Sequence, residues 1–292
     1  MEAGIHVSSI NCNIYNELTM RTSFCKILSF LALSLCMAAL SGCGEYVRVQ
    51  KSNDPQYKFD FAQRAFEQGK YQQAATILKD CVTQFKGTDK AEESLYLLAM
   101  SYYENKDYLN SGAYFQTYYN RYPKGKYTEL ARFFSGYGYY LDSPEAELDQ
   151  SGTMKAIEEL QAFLDYYPRS EKVSLAQSAI FELQDKLTLK ELLNAQLYYN
   201  LGNYMGNNYE SAVIVARNAI KNYPYSKYKE ELEMLILKAR YQEANMSVEE
   251  RKAERYAEVI DEYYSFINNY PDSPNRGEAD NIFKIASKHV RE

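Results

Sequence analysis

Apolar residues recur along this chain in steps of three and four. The clearest series run backwards from four Tyr-Pro pairs. Before Pro123 stand Tyr108, Ser111, Phe115, Tyr118 and Tyr122, and before Pro168 stand Thr153, Ala156, Leu160, Phe163 and Tyr167. Before Pro224 the set is Tyr209, Ala212, Ala216, Ala219 and Tyr223, and before Pro271 it is Tyr256, Val259, Tyr263, Phe266 and Tyr270. A further copy, Tyr71, Ala74, Leu78, Cys81 and Phe85, lacks the proline. Each set falls on one face of an α-helix. Proline then ends the helix, because it removes a donor and pushes the preceding residue out of the helical region.

A partner helix is predicted ahead of most copies. Residues 92–104 place Leu95, Leu98, Ala99 and Tyr102 together, and residues 55–68 do the same with Phe61, Ala62 and Ala65. Asp54-Pro55 is a start signal for the latter. Gly69-Lys70-Tyr71 and Lys106-Asp107-Tyr108 form the tight turns, and Gly69 suits a left-handed residue just past a helix end. Residues 142–150 and 245–250 are predicted as inserted loops. Residues 173–205 fit two helices or one very long one, and residues 275–290 form a closing helix.

This pattern resembles the tetratricopeptide repeat. Gly69, Tyr71 and Ala74 match its turn, Ala62, Ala99 and Gly136 its small residue at helix contact, and the prolines its closing residue. The expected fold is all-α: a right-handed solenoid of about five helical hairpins with a C-terminal capping helix. Such hairpins bury their apolar stripes only by stacking. A compact irregular helical bundle is the alternative. The organisation expected is an upstream extension and lipoprotein signal over 1–42, a lipidated, extended linker over 43–54, repeats one to three over 55–172, and repeats four, five and the cap over 173–292.

The N-terminal reading rests on residues 27–40, ILSFLALSLCMAAL, an uncharged stretch preceded by Arg21 and Lys26. That is the layout of a secretory signal, and the apolar run is too short for a transmembrane helix. Leu40-Ser41-Gly42-Cys43 follows directly and resembles the bacterial lipobox, which implies acylation of Cys43; the plain alternative is an ordinary signal with a chance cysteine. Met20 is a candidate start, with residues 1–19 upstream of it. After processing, Cys81 is the only thiol left, so no intrachain disulfide is available and packing alone must hold the fold.

Composition narrows the function. The 292 residues carry a formal net charge of −6, with 30 Tyr and no Trp. An acidic balance without a Lys/Arg cluster points away from nucleic acid. It also implies tethering by acyl chains rather than by attraction to anionic lipid. The mature chain holds one histidine, His289, and no Cys-x-x-Cys, His-Glu-x-x-His or phosphate-cradling glycine loop. Carboxylates are plentiful, so counting alone leaves a two-carboxylate hydrolase open. A helical solenoid rarely supplies the dry pocket such chemistry needs. Neither a catalytic residue, a metal site nor a cofactor is assigned.

What remains is a surface. In tetratricopeptide stacks the first helix of each pair lines the concave face. That register nominates Phe59, Gln63 and Phe66 in the first repeat, Tyr96, Met100 and Tyr103 in the second, and Phe133 and Tyr137 in the third. Aromatic rings with polar edges suit an extended apolar peptide. At any single position, core and groove are equally open.

The whole mature chain resembles the BamD-type lipoproteins of the outer-membrane β-barrel assembly machinery. The resemblance is carried by ALSGCGEY at 39–46, YKFDFAQRAFEQGKYQQAATILKDCVTQF at 57–85 and ESLYLLAMSYYENKDYLNSGAYFQTYYNRYP at 93–123. It implies a non-catalytic protein anchored by lipid in the outer membrane, on the periplasmic face. Its N-terminal repeats would bind unfolded outer-membrane proteins through their aromatic-ended C-terminal strand. Its C-terminal repeats would dock on the periplasmic domains of a BamA-like barrel subunit. The competing readings are a cell-envelope scaffold of the Tol–Pal type, expected to carry a coiled coil before its repeats, and a SusD-like glycan binder, expected to be longer and to use Trp platforms.

Overall fold

A computed structural model describes residues 44–290. The described residues are all-helical. Helix α1 covers 44–50. After it come α2 (Pro55–Glu67), α3 (Tyr71–Gln84), α4 (Lys90–Glu104), α5 (Tyr108–Arg121), α6 (Thr128–Leu141) and α7 (Ser151–Tyr166). The remainder are α8 (Val173–Leu201), α9 (Asn208–Asn222), α10 (Lys229–Asn245), α11 (Glu249–Asn269) and α12 (Arg276–Val290). These are the helices that the five predicted hairpins and the closing helix require. The chain divides into two compact units, Met1–Ser101 and Tyr102–Glu292, with the boundary near the end of α4.

In the first unit, Asp54 caps α2, its Oδ1 accepting from the Gln56 and Tyr57 amides at 2.9 and 3.2 Å. This satisfies donors that a helix start leaves bare. At the other end Gly69 takes φ 73°, and the Lys70 amide reaches back to the Ala65 carbonyl at 2.8 Å. That left-handed closure turns the chain into α3, which packs on α2. The stripe predicted on α3 is buried: Ala74, Leu78 and Cys81 are fully inside. Burial pushes the Cys81 thiol up to about 11, so it is an inert core residue. Lys58 is also buried, with its ammonium on Asp80 at 2.6 Å.

The linker expectation needs correction. Residues 44–50 are helical, not extended, and they dock on α2. Val49 is fully buried, Tyr46 stacks on Phe61 at 6.0 Å, and Glu45 pairs with Arg64 at 2.9 Å.

In the second unit, each helix from α5 to α12 packs on the next, and α6 touches α8, α8 touches α10, and α10 touches α12. Contact between neighbours and between alternate helices is the packing of a helical-repeat solenoid. The predicted stripes are its core: Phe115 and Tyr118 on α5, Ala156, Leu160 and Phe163 on α7, Ala212, Ala216 and Ala219 on α9, and Tyr256, Val259 and Phe266 on α11. The turn before α5 copies the one after α2, with Lys106 at φ 61° in the place of a glycine.

The four Tyr-Pro endings share one geometry. Tyr122, Tyr167, Tyr223 and Tyr270 have φ between −122° and −135° and ψ between 58° and 69°. Each donates its amide to the carbonyl four residues back, at 2.8–2.9 Å. Each then accepts from the third residue on (Gly125, Ser170, Ser226 or Ser273), whose own carbonyl receives the amide that opens the next helix.

The open question over 173–205 resolves to a single helix, α8. Its first half belongs to one core, with Ala176, Ala179 and Leu183 against Phe133, Leu160 and Phe163. Its second half belongs to another, with Leu192 and Ala195 against Ala212, Ala216 and Leu232. A third core joins α10, α11 and α12 around Leu237, Phe266 and Ala279.

Candidate peptide-binding faces

The first helices of the hairpins carry the nominated residues, and each unit presents its own set. In the first unit, Gln63 on α2 donates to Glu93 on α4 at 3.4 Å. Phe66 is half-buried, edge-on to Tyr71 at 5.3 Å. Tyr96 and Met100 are likewise half-buried on α4. Phe59 is different. It is 2 % exposed and meets the Phe85 ring edge-on at 5.8 Å, so it packs as a core ring.

In the second unit the aromatic side chains form a ladder. Tyr108 and Tyr103 meet edge-to-face at 5.5 Å, and Tyr103 meets Phe134 at 4.9 Å. Phe134 contacts Phe133 at 5.3 Å, Phe133 stacks on Tyr137 at 5.1 Å, and Tyr137 lies 5.1 Å from Tyr140. Phe133, at 1 % exposure, is the buried rung and is also core. Tyr103, Tyr137 and Tyr140 are half-buried, with ring faces held by neighbours. Burial, then the Tyr108 and Tyr137 phenols, pushes the Tyr103 hydroxyl well above its ordinary range. It stays a neutral donor at any physiological pH.

The ladder ends at a cleft of about 630 Å³ between the end of α6, the 142–150 loop, α8 and the loop before α10. Its walls include Tyr140, Ala146, Leu183 and Tyr228, and its rim Glu182 and Lys227. Tyr140 donates to Glu182 at 2.5 Å. The loop is pinned from α8: the Lys186 ammonium donates to the Ser143 carbonyl and hydroxyl at 3.0 and 2.8 Å, and Lys190 donates to the Leu148 carbonyl at 2.6 Å. Sequence reasoning found the loop but not the cleft, whose sides come from segments some forty residues apart. Phe134 was also missed, although it adjoins Phe133 in a visible doublet.

Behind the ladder, Glu159 on α7 is buried and accepts from the Tyr119 hydroxyl at 3.0 Å, with Lys155 at 3.1 Å. Burial and that carboxylate push Tyr119 up to about 12. The hydrogen bond to Glu182 and burial do the same for Tyr140. An unfolded phenol ionises near 10. The folded state therefore keeps protons that the unfolded state has lost, and stability present below pH 10 falls as pH rises from 10 towards 12. Tyr119, only 6 % exposed, accounts for up to about 3 kcal/mol of this loss. Urea unfolding at pH 9 and pH 11 should show the decline, and Tyr119→Phe should flatten it.

Among the described residues, no helix is long and apolar enough to cross a membrane, and no group of three or more His, Cys, Asp or Glu is placed to hold a metal ion. Cys43 lies outside the described residues. No curated protein matches the chain. A family model described as outer membrane lipoprotein, YfiO, matches residues 51–207, from the end of α1 through α8 and the turn after it. That span is more than half of the chain and agrees with the BamD-type resemblance of its first two repeats. The chain belongs to the YfiO family of outer membrane lipoproteins.

Proposed function

We propose that this lipoprotein is a non-catalytic assembly factor, anchored through acylated Cys43 on the periplasmic face of the outer membrane, that binds unfolded outer-membrane proteins and passes them on. The observation that carries the binding step is the aromatic ladder of the second unit. Tyr103, Tyr137 and Tyr140 offer half-covered rings and neutral phenols along one first-helix face, beside an open cleft. Rings supply affinity to an extended apolar strand, and hydroxyls and amides supply its register. Gln63, Phe66, Tyr96 and Met100 give the first unit a face of the same character. Repeats four, five and the cap, over 173–292, dock on the periplasmic domains of a BamA-like barrel subunit.

The test is binding of strand peptides that end in an aromatic residue. Tyr103→Ala combined with Tyr137→Ala should weaken binding at least tenfold, since such ring anchors are each worth about 1–2 kcal/mol or more. The circular dichroism spectrum should keep its helical form. Unchanged affinity in a folded variant would remove the ladder from the binding site. Purification from detergent-solubilised membranes should bring down a large barrel protein with periplasmic repeat domains; its absence would sink the docking step.

A further inference from the structure

We propose that two Tyr-Pro loops of the second unit, residues 122–127 and 167–172, form a surface that docks on anionic phospholipid headgroups. The loops share one backbone build and deliver the chain into α6 and α8, which pack against each other. Since α5, α6, α7 and α8 follow one another as packed hairpins, both loops lie at the same edge of the stack.

That edge is basic in an acidic chain. Arg121, Lys124, Lys126, Arg169 and Lys172 stand there, against Glu129, Asp165 and Glu171. Arg132 adds a fixed cation: its guanidinium lies 4.2 Å from the Tyr119 ring and 4.0 Å from the Tyr166 ring, with no carboxylate paired to it among the described residues. The opposite ends of the same helices carry Glu104, Asp107, Asp142, Glu145, Glu147 and Asp149, against Lys106 and against Lys186 and Lys190, which reach the 142–150 loop from α8.

Helix dipoles do not require this polarity. Every loop joins one helix C-terminus to the next N-terminus, so the two partial charges at each edge offset. A ligand explains what capping does not. Lys and Arg recognise phosphate, and exposed tyrosines sit well at headgroup depth. Lys124, Arg169 and Tyr166, the last 64 % exposed, provide both. The net charge of −6 conceals the patch, because acidic residues elsewhere in the chain outweigh it. A chain belonging to a family of outer membrane lipoproteins is held at a bilayer, where contacts too weak to bind from solution still count.

The mature chain, residues 43–292 carrying Cys43→Ala and so lacking both the apolar signal and the acyl anchor, tests this by co-sedimentation. Vesicles of phosphatidylethanolamine with phosphatidylglycerol should bind it at low salt, and those of phosphatidylethanolamine with phosphatidylcholine should not. Binding should fall steeply as ionic strength passes about 0.15 M, where the screening length is roughly 8 Å. Lys124→Glu with Arg169→Glu should weaken binding at least tenfold, about fivefold per basic residue removed. The milder Lys124→Gln with Arg169→Gln should give an intermediate loss, and Glu145→Gln with Glu147→Gln no loss. Equal binding to both vesicle types, no binding to either, or indifference to the charge reversals would each overturn the proposal. The second of these would leave an acidic protein as the partner of the patch.

Discussion

Lys186→Pro should lower the melting midpoint of the second unit by on the order of 5–10 °C and split its unfolding into two steps. Position 186 lies inside α8, between the residues that serve one core and those that serve the next. Proline there removes a backbone hydrogen bond and clashes with the preceding turn, at a cost of about 3 kcal/mol or more. For a unit of this size each kcal/mol moves the midpoint by roughly 2–4 °C. The split follows from connectivity, since α8 is the shared element of both cores. Lys186→Ala is the control: it deletes the bonds to Ser143 but keeps the helix, and should leave one transition. Calorimetry separates the outcomes, and a single transition in the proline variant would show that the two cores are coupled through other contacts.

Gly136→Ala should destabilise the protein by about 1–3 kcal/mol, although alanine is the better helix former by roughly 1 kcal/mol. A Cβ at 136 would sit 2.9 Å from the Leu160 amide nitrogen and 2.9 Å from its Cγ. Backbone cannot step aside as a side-chain tip can, so α6 and α7 would have to separate. Two residues on, a Cβ at Gly138 would meet Tyr108 at an ordinary 3.6 Å. Gly138→Ala should therefore be neutral or stabilising by up to about 1 kcal/mol. Opposite signs at two glycines of one helix, measured by urea denaturation, test whether position 136 is the closest approach within the third hairpin.

The sequence was legible where one physical demand dominated. Second-helix stripes such as Ala156, Leu160 and Phe163 face only a core, so their period could be read directly. Proline left no choice at the loop entrances. The first helices were harder. Packed by neighbours on both sides, they bury some positions that a repeat register assigns to the groove, and Phe59 and Phe133 fell on the buried side. Helix α1 was missed because its few residues carry no period of their own. Tyr46 and Val49 are helical through contacts with α2, which no local signal announces. The basic edge was hidden by averaging: a single net charge cannot show that opposite signs gather at opposite ends of the same helices.

The docking of α1 also fixes the length of a leash. As a helix, residues 44–50 advance roughly 10 Å, where an extended strand would reach roughly 23 Å. Clamped by Tyr46, Val49 and the Glu45–Arg64 pair, they spend even that span lying along the protein. With Cys43 acylated as proposed, the first unit would ride berthed against the bilayer, with little rope on which to swing out and search the space beneath it.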